Sequence, residues 1–353
     1  MKIYRILAAL FTLLLFSIPA TFSYGQSRDI GMVVTRDPIS LDPHATLDPG
    51  APILLAYIYD TLVYQTSDGS ILPNLAETWS VSDDQQAITF DLKTDIVFSD
   101  GSPFNADAVI YTFERLQTSG QRSLIYDDIT NIADLERLAD YSVRFHLVEP
   151  SATLLSALTY PYAGILSPSA TEAAGDEYGR RPVGTGPFEL ESWVPESELV
   201  LVPNPNYRGH RPWVNTTTPP DMDRLRVRFS TDESARASAL LTGEVDIAYF
   251  ASGSQLSRFN TDDFTLLESP ARGLVYLGFN TQRPPFDNVE VRQAIAQAIN
   301  KVDILALAAD GLGLVAQTAL PPSVFAVDET LESLVPVTSP QDAAALLRNA
   351  GYG

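Results

Sequence analysis

The 353-residue sequence contains no cysteine, so disulfides, thiolate metal sites and cysteine nucleophiles are all excluded. A lipid-modified N-terminus is excluded with them, because that anchor requires a cysteine at the cleavage point. Histidine is nearly absent. His44, His146 and His210 are the three present, and their separations match no HExxH-type zinc spacing. Beyond the first residues lysine occurs only at Lys93 and Lys301, and arginine carries the remaining positive charge. That charge falls far short of the negative, leaving a formal net charge of −21. So acidic a surface disfavours nucleic acid and anionic lipid as partners.

Long apolar runs are also missing, with one exception at the start. Lys2 and Arg5 give a short basic opening, and Ile6 to Ile18 is a nearly unbroken apolar run. It is too short to span a bilayer and has the length of a secretory leader. Small residues at Ser23 and Gly25 place cleavage after Gly25, with Ser23 as the other option. The chain therefore reads as residues 1–25 of signal peptide followed by an exported, unanchored, periplasmic protein. Roughly 330 residues remain, more than one core ordinarily holds, which predicts two lobes or more.

What is present is a mixture of short strands and helices. Ile88–Leu92, Val143–Leu147 and Leu225–Phe229 alternate apolar and polar residues, as half-buried strands do. Asn105 is placed to cap a helix whose Val109, Phe113 and Leu116 share a face. Thr231 is read as opening a helix that Gly243 ends. Asp287 with Glu290 reads as a capping box before a stripe of Val291, Ile295 and Ala298. A last helix starts at Ser339-Pro340 and stops at Gly351. Proline pairs such as Pro219-Pro220 and Pro284-Pro285 stiffen the connections between elements.

Gly184-Thr185-Gly186 invites a chemical reading and does not sustain one. No Gly-Lys-Ser/Thr follows it, as a phosphate loop requires, and a strand-like run begins where a dinucleotide site needs a helix. Gly-x-Ser-x-Gly occurs nowhere. The turn is read as a bend feeding a strand. Acidic pairs such as Asp83-Asp84 and Asp127-Asp128 are expected on solvated turns of so acidic a chain. His146 belongs to the polar face of its strand. Tyrosines are more suggestive: Tyr57, Tyr59 and Tyr64 in one segment and Tyr160 and Tyr162 around Pro161 suit either a ligand cleft or a core rim.

In order, the segments "PISLDPHATLD", "YIYDTLVY", "FSDGSPFNADAVIYTF", "VGTGPFELESW", "GEVDIAY", "NTQRPPFDNVEVRQA" and "LLRNAGYG" strongly resemble the bacterial extracellular solute-binding proteins of family 5. These are the oligopeptide-, dipeptide- and nickel-binding components of ABC importers. The resemblance covers nearly all of the chain after the leader. It implies an α/β, two-lobed, type II periplasmic-binding-protein-like fold. The main sheet of lobe I would use residues 26–70 and 184–268, its extra subdomain 71–183, and an incomplete lobe II 269–353. It further implies a monomeric receptor, not an enzyme, that closes on a peptide and presents it to the permease of an importer with cytoplasmic ATPases. No cofactor and no metal are called for.

By the same resemblance Ser40, His44, Tyr57, Tyr160 and Tyr162 would approach the ligand, and Arg122 would face a ligand carboxylate or pair with Asp127 or Asp128. A receptor for a nickel chelate, an opine or an oligosaccharide is the alternative. An exported hydrolase, or a short chain that does not bind, stands behind those two. Family members usually continue well past a segment like "LLRNAGY", so the second lobe is expected to be partial, with the helix of Val291 and the last helix incompletely covered.

Overall fold

A computed structural model describes residues 28–352, apart from 49, 119–122, 216–217, 251–252, 261, 269–272 and 322–337. The leader and Arg122 lie outside the described residues. Eleven strands are described: β1 (Asp29–Val34), β2 (Val63–Gln65), β3 (Ile71–Pro73), β4 (Ala76–Val81), β5 (Ala87–Leu92), β6 (Ile132–Ala139), β7 (Ser142–Leu147), β8 (Phe188–Val194), β9 (Glu198–Pro203), β10 (Arg224–Phe229) and β11 (Ile247–Ala248). The helices are α1 (Ala51–Ile58), α2 (Ala106–Thr118), α3 (Tyr126–Ile129), α4 (Leu154–Ala157), α5 (Pro168–Ala174), α6 (Glu233–Leu241), α7 (Val289–Ala298), α8 (Lys301–Ala308) and α9 (Pro340–Asn349).

A five-stranded sheet runs in the order β11-β1-β10-β9-β8. The alternation in β10 explains its place. Leu225 and Val227 are buried, while Arg224, Arg226 and Arg228 point outward and pair with Glu191, with Asp29 and Glu198, and with Glu244. β1 lies parallel to both β10 and β11, so the chain between β1 and β10 must leave and return.

That excursion contains a second, four-stranded antiparallel sheet, β4-β5-β7-β6. Its inner face presents Phe90 and Phe145, 5.1 Å apart and edge to face, with Phe113 of α2 5.2 Å from Phe145. Val109, Phe113 and Leu116 of α2 are all buried against it. Each such side chain contributes roughly 1.5–3 kcal/mol by leaving water. Asn105 Oδ1 accepts the Ala108 N–H at 3.1 Å, the expected cap. His146 sits on the outer face, bonded to Glu136.

Two helix starts move by one residue. α6 is capped by Asp232 rather than Thr231, because the Asp232 carboxylate reaches the N–H groups of both Ser234 and Ala235. α7 is capped by Asn288 rather than Asp287, its side chain accepting from Glu290 N–H. With that start, Val291 and Ala294 are the residues of α7 that are buried, and Ala298 is exposed. α9 is capped by Ser339 and followed by Gly351 at φ +87°. α7 packs on α9, while Val275, Tyr276 and Leu277 are exposed.

Candidate functional site

The glycine turn has a structural answer. A Cβ on Gly184 would lie 2.1 Å from the Ile58 carbonyl oxygen, and one on Gly186 2.6 Å from the Tyr57 carbonyl oxygen. Both positions need glycine because backbone meets backbone there. The Gly186 N–H donates to Ile58 O at 2.9 Å, and Asn204 Nδ2 donates to Gly186 O at 2.8 Å. The turn thus seats the start of β8 on the C-terminal end of α1.

Asp60 locks this junction. Its carboxylate accepts from Arg211 Nε at 2.6 Å, His210 Nε2 at 2.7 Å and Thr185 Oγ1 at 3.0 Å. Arg211 Nη2 also donates to the carbonyls of Ala56 and Tyr59, at 2.6 and 3.2 Å, and so satisfies the end of α1. Burial alone would raise the Asp60 pKa, but Arg211 and then His210 outweigh it and hold the carboxyl well below its usual range. Nothing local in the sequence marks His210 and Arg211 as partners of Asp60, some 150 residues away.

A second polar knot underlies the loop after β1. Arg115 of α2 grips Asp42 with two nitrogens, at 2.6 and 3.1 Å, and donates to His44 Nδ1 at 3.1 Å. A guanidinium only donates, so Nδ1 accepts and the ring proton rests on Nε2. His44 is fully buried, and burial drives its pKa down to about 3; Asp42 opposes this and Arg115 adds to it. Tyr59 Oη donates to Leu41 O at 3.0 Å, and Leu41 N–H donates to Gly179 O at 3.0 Å, which pins the same loop from two sides.

Ser40 Oγ accepts the Asp42 N–H at 3.0 Å, within this pinned loop. Tyr162 is buried, and its hydroxyl donates to Asp48 O at 3.0 Å. The 40–48 loop and the Tyr160–Tyr162 turn are therefore brought together, and the neighbours of that contact, Leu47 and Tyr160, are 54% and 42% exposed. Tyr57 stands elsewhere, at the far end of α1, edge to face with Phe188 at 5.5 Å. Burial, and then the Tyr249 hydroxyl, push its pKa up to about 12. Near that end of α1, exposed Trp213 lies against Tyr64, ring centroids 4.1 Å apart and tilted by 46°, with the Arg211 guanidinium 5.7 Å from its ring. Trp213 gave no signal in the sequence beyond being aromatic. Among the described residues no three His, Asp or Glu side chains form a metal cluster. No helix among them is long and apolar enough to cross a membrane.

Residues 70–353 match the bacterial extracellular solute-binding proteins, family 5 middle. The glutathione-binding protein GsiB of Salmonella typhimurium is 30% identical over 335 residues, covering 94% of this chain and 63% of its own length. The chain thus spans less than two thirds of that relative. The ABC transporter-associated periplasmic binding protein DppA from Helicobacter pylori, solved with the peptide STSA, superposes with a TM-score of 0.74 at 27% identity. That match covers 92% of this chain and 66% of DppA. NikA from Brucella suis, solved with Fe(III)-EDTA, superposes with a TM-score of 0.77 at 26% identity, covering 92% and 64%.

Proposed function

This chain belongs to family 5 of the bacterial extracellular solute-binding proteins, with their type II, mixed α/β periplasmic-binding fold, and from that premise we propose that it is the peptide-capturing receptor of an ABC-type importer. Residues 1–25 direct export to the periplasm and are removed. Lobe I takes its main sheet from 26–70 and 184–268 and its subdomain from 71–183; lobe II begins near residue 269. A peptide binds between the lobes, their closure excludes water, and the closed form delivers it to the permease and its cytoplasmic ATPases. The protein works by binding alone, as a monomer.

The likeness to DppA with a bound peptide carries this reading. On lobe I the peptide rests against Leu47 and Tyr160, which the Tyr162–Asp48 bond holds in place. Ser40 and His44 shape that wall from beneath, Tyr57 borders it from the other end of α1, and Arg122 takes a ligand carboxylate. The likeness to NikA supports a second reading, a receptor for a metal chelate.

Melting of the purified protein with di- and tripeptides, glutathione and a nickel–histidine chelate separates the two. A ligand at a hundred times its Kd stabilises by about 2.7 kcal/mol, a shift of several degrees. A shift with peptides, reduced in Tyr160→Ala, supports the first reading. A shift with the chelate alone favours the second, and no shift with any of them overturns both.

A further inference from the structure

A cavity of about 400 Å³ lies between the Ser99–Asp100 turn, the segment Arg180–Val183 and β8. Its size is that of a small-ligand site. Two of its acids are already engaged. Glu191 is held by Arg224 at 2.8 and 3.0 Å, and Asp100 accepts from Ser102 Oγ at 2.6 Å and Ser167 Oγ at 3.0 Å. Glu189 remains, and burial raises its pKa from the usual glutamate value.

Among the described residues, neither Arg180 nor Arg181 belongs to the arginines that pair with a carboxylate. Arg180 is nonetheless positioned: its guanidinium carbon stands 3.7 Å over the Trp193 ring. The ring is itself fixed, its indole N–H donating to Asp37 at 2.8 Å. A stacked guanidinium keeps its in-plane donors available for a planar, two-oxygen acceptor. Beside it runs β8, the last strand of its sheet, whose outer edge pairs with no further strand among the described residues.

We propose that this cavity is a second binding site, for an extended peptide with a free carboxylate. Arg180 and Arg181 take the carboxylate, and the outer edge of β8 takes the peptide backbone. None of the residues assigned to the interlobe site lines this cavity, so the proposal stands apart from the preceding one.

The probe is the N-acetylated peptide Val-Thr-Val-Ala with a free C-terminal carboxylate, beside its C-terminal amide. Heteronuclear NMR follows the Trp193 indole N–H, assigned through Trp193→Phe. The acid should move this resonance saturably, and added salt should weaken the effect. The amide should bind at least tenfold more weakly, as should Arg180→Ala; Arg180→Lys, which keeps charge but not the fork, should fall between. An unmoved Trp193 resonance overturns the proposal, even if peptides bind in the cleft. Equal binding of acid and amide, or full binding by the doubly substituted Arg180→Ala/Arg181→Ala protein, overturns it as well.

Discussion

The two polar knots of this molecule draw on the same residue types, one aspartate, one arginine and one histidine, and connect them differently. At Asp60 the histidine and the arginine both donate to the carboxylate, whose side chain is 1% exposed. At Asp42 the arginine lies between its partners, donating to the carboxylate on one side and to His44 on the other; here the arginine and carboxylate side chains are 23% and 6% exposed, against 12% and 1% at Asp60. The first arrangement joins three chain segments distant in sequence: the end of α1, the Thr185 turn and the 210–211 loop. The second ties α2 to the 40–48 loop, beside the exposed Leu47 and Tyr160. Identical chemistry thus serves assembly in one place and the shaping of a surface in the other. Burial and the order of donors decide which.

Removing each carboxylate tests that contrast most directly. Asp60→Asn leaves Arg211 and His210 buried against a neutral group and should cost about 3–5 kcal/mol in urea unfolding. Asp42→Asn leaves a guanidinium with access to water and should cost roughly 1–3 kcal/mol. Equal losses would mean that the difference in burial is without consequence. Gly186→Ala attacks the Asp60 junction without touching charge. Its Cβ would meet backbone at 2.6 Å, so the start of β8 must shift away from α1. A loss of about 2–3 kcal/mol is expected, and the combination with Asp60→Asn should fall short of additivity because both act on one junction.

The assembling knot was the less legible of the two. Alternation exposed β5, β7 and β10 because one face of each is buried, and the α2 stripe and its Asn105 cap were readable for the same local reason. Helix starts at Asp232 and Asn288 slipped by one residue, since adjacent polar side chains compete for the same N–H groups and only geometry chooses between them. The Gly184–Gly186 turn was recognisable as a bend from its neighbours. That it packs on Ile58 was not, because nothing in the sequence records which distant carbonyl a glycine faces. His210 and Arg211 meet Asp60 only after the intervening sheets have formed. The loop containing Ser40 and His44 came from family likeness, and the full burial of His44 needed Arg115 to be placed.

Acid should separate the knots again. Burial keeps His44 neutral when folded, with a pKa of about 3, whereas an unfolded histidine titrates near 6.5. The unfolded chain therefore takes up a proton that the folded chain refuses. Stability falls as pH drops from about 6.5 towards 3, by up to ~1.4 kcal/mol per pH unit. Asp60 acts lower. Its folded pKa is depressed, so its contribution is present above about pH 4 and is lost below that. His44→Gln should flatten the stability profile between about pH 4 and 6.5 and leave the acid limb intact. An unchanged slope in that variant would remove His44 as the source.

The smallest effect belongs to the third histidine. His146 bonds Glu136 at 2.9 Å on the outer face of the four-stranded sheet, with the two side chains 39% and 45% exposed. The contact is only slightly longer than the 2.7 Å between His210 and Asp60, but water reaches both groups and solvates either one alone. Glu136→Gln should therefore change stability by less than about 0.5 kcal/mol, and added salt should reduce even that. Measured beside Asp60→Asn, it sets an exposed carboxylate against a buried one that also holds Arg211 and Thr185, since each change neutralises a carboxylate that a histidine contacts. If Glu136→Gln cost as much as Asp60→Asn, contact distance rather than burial would govern all three pairs, and the difference between the two knots would need another cause.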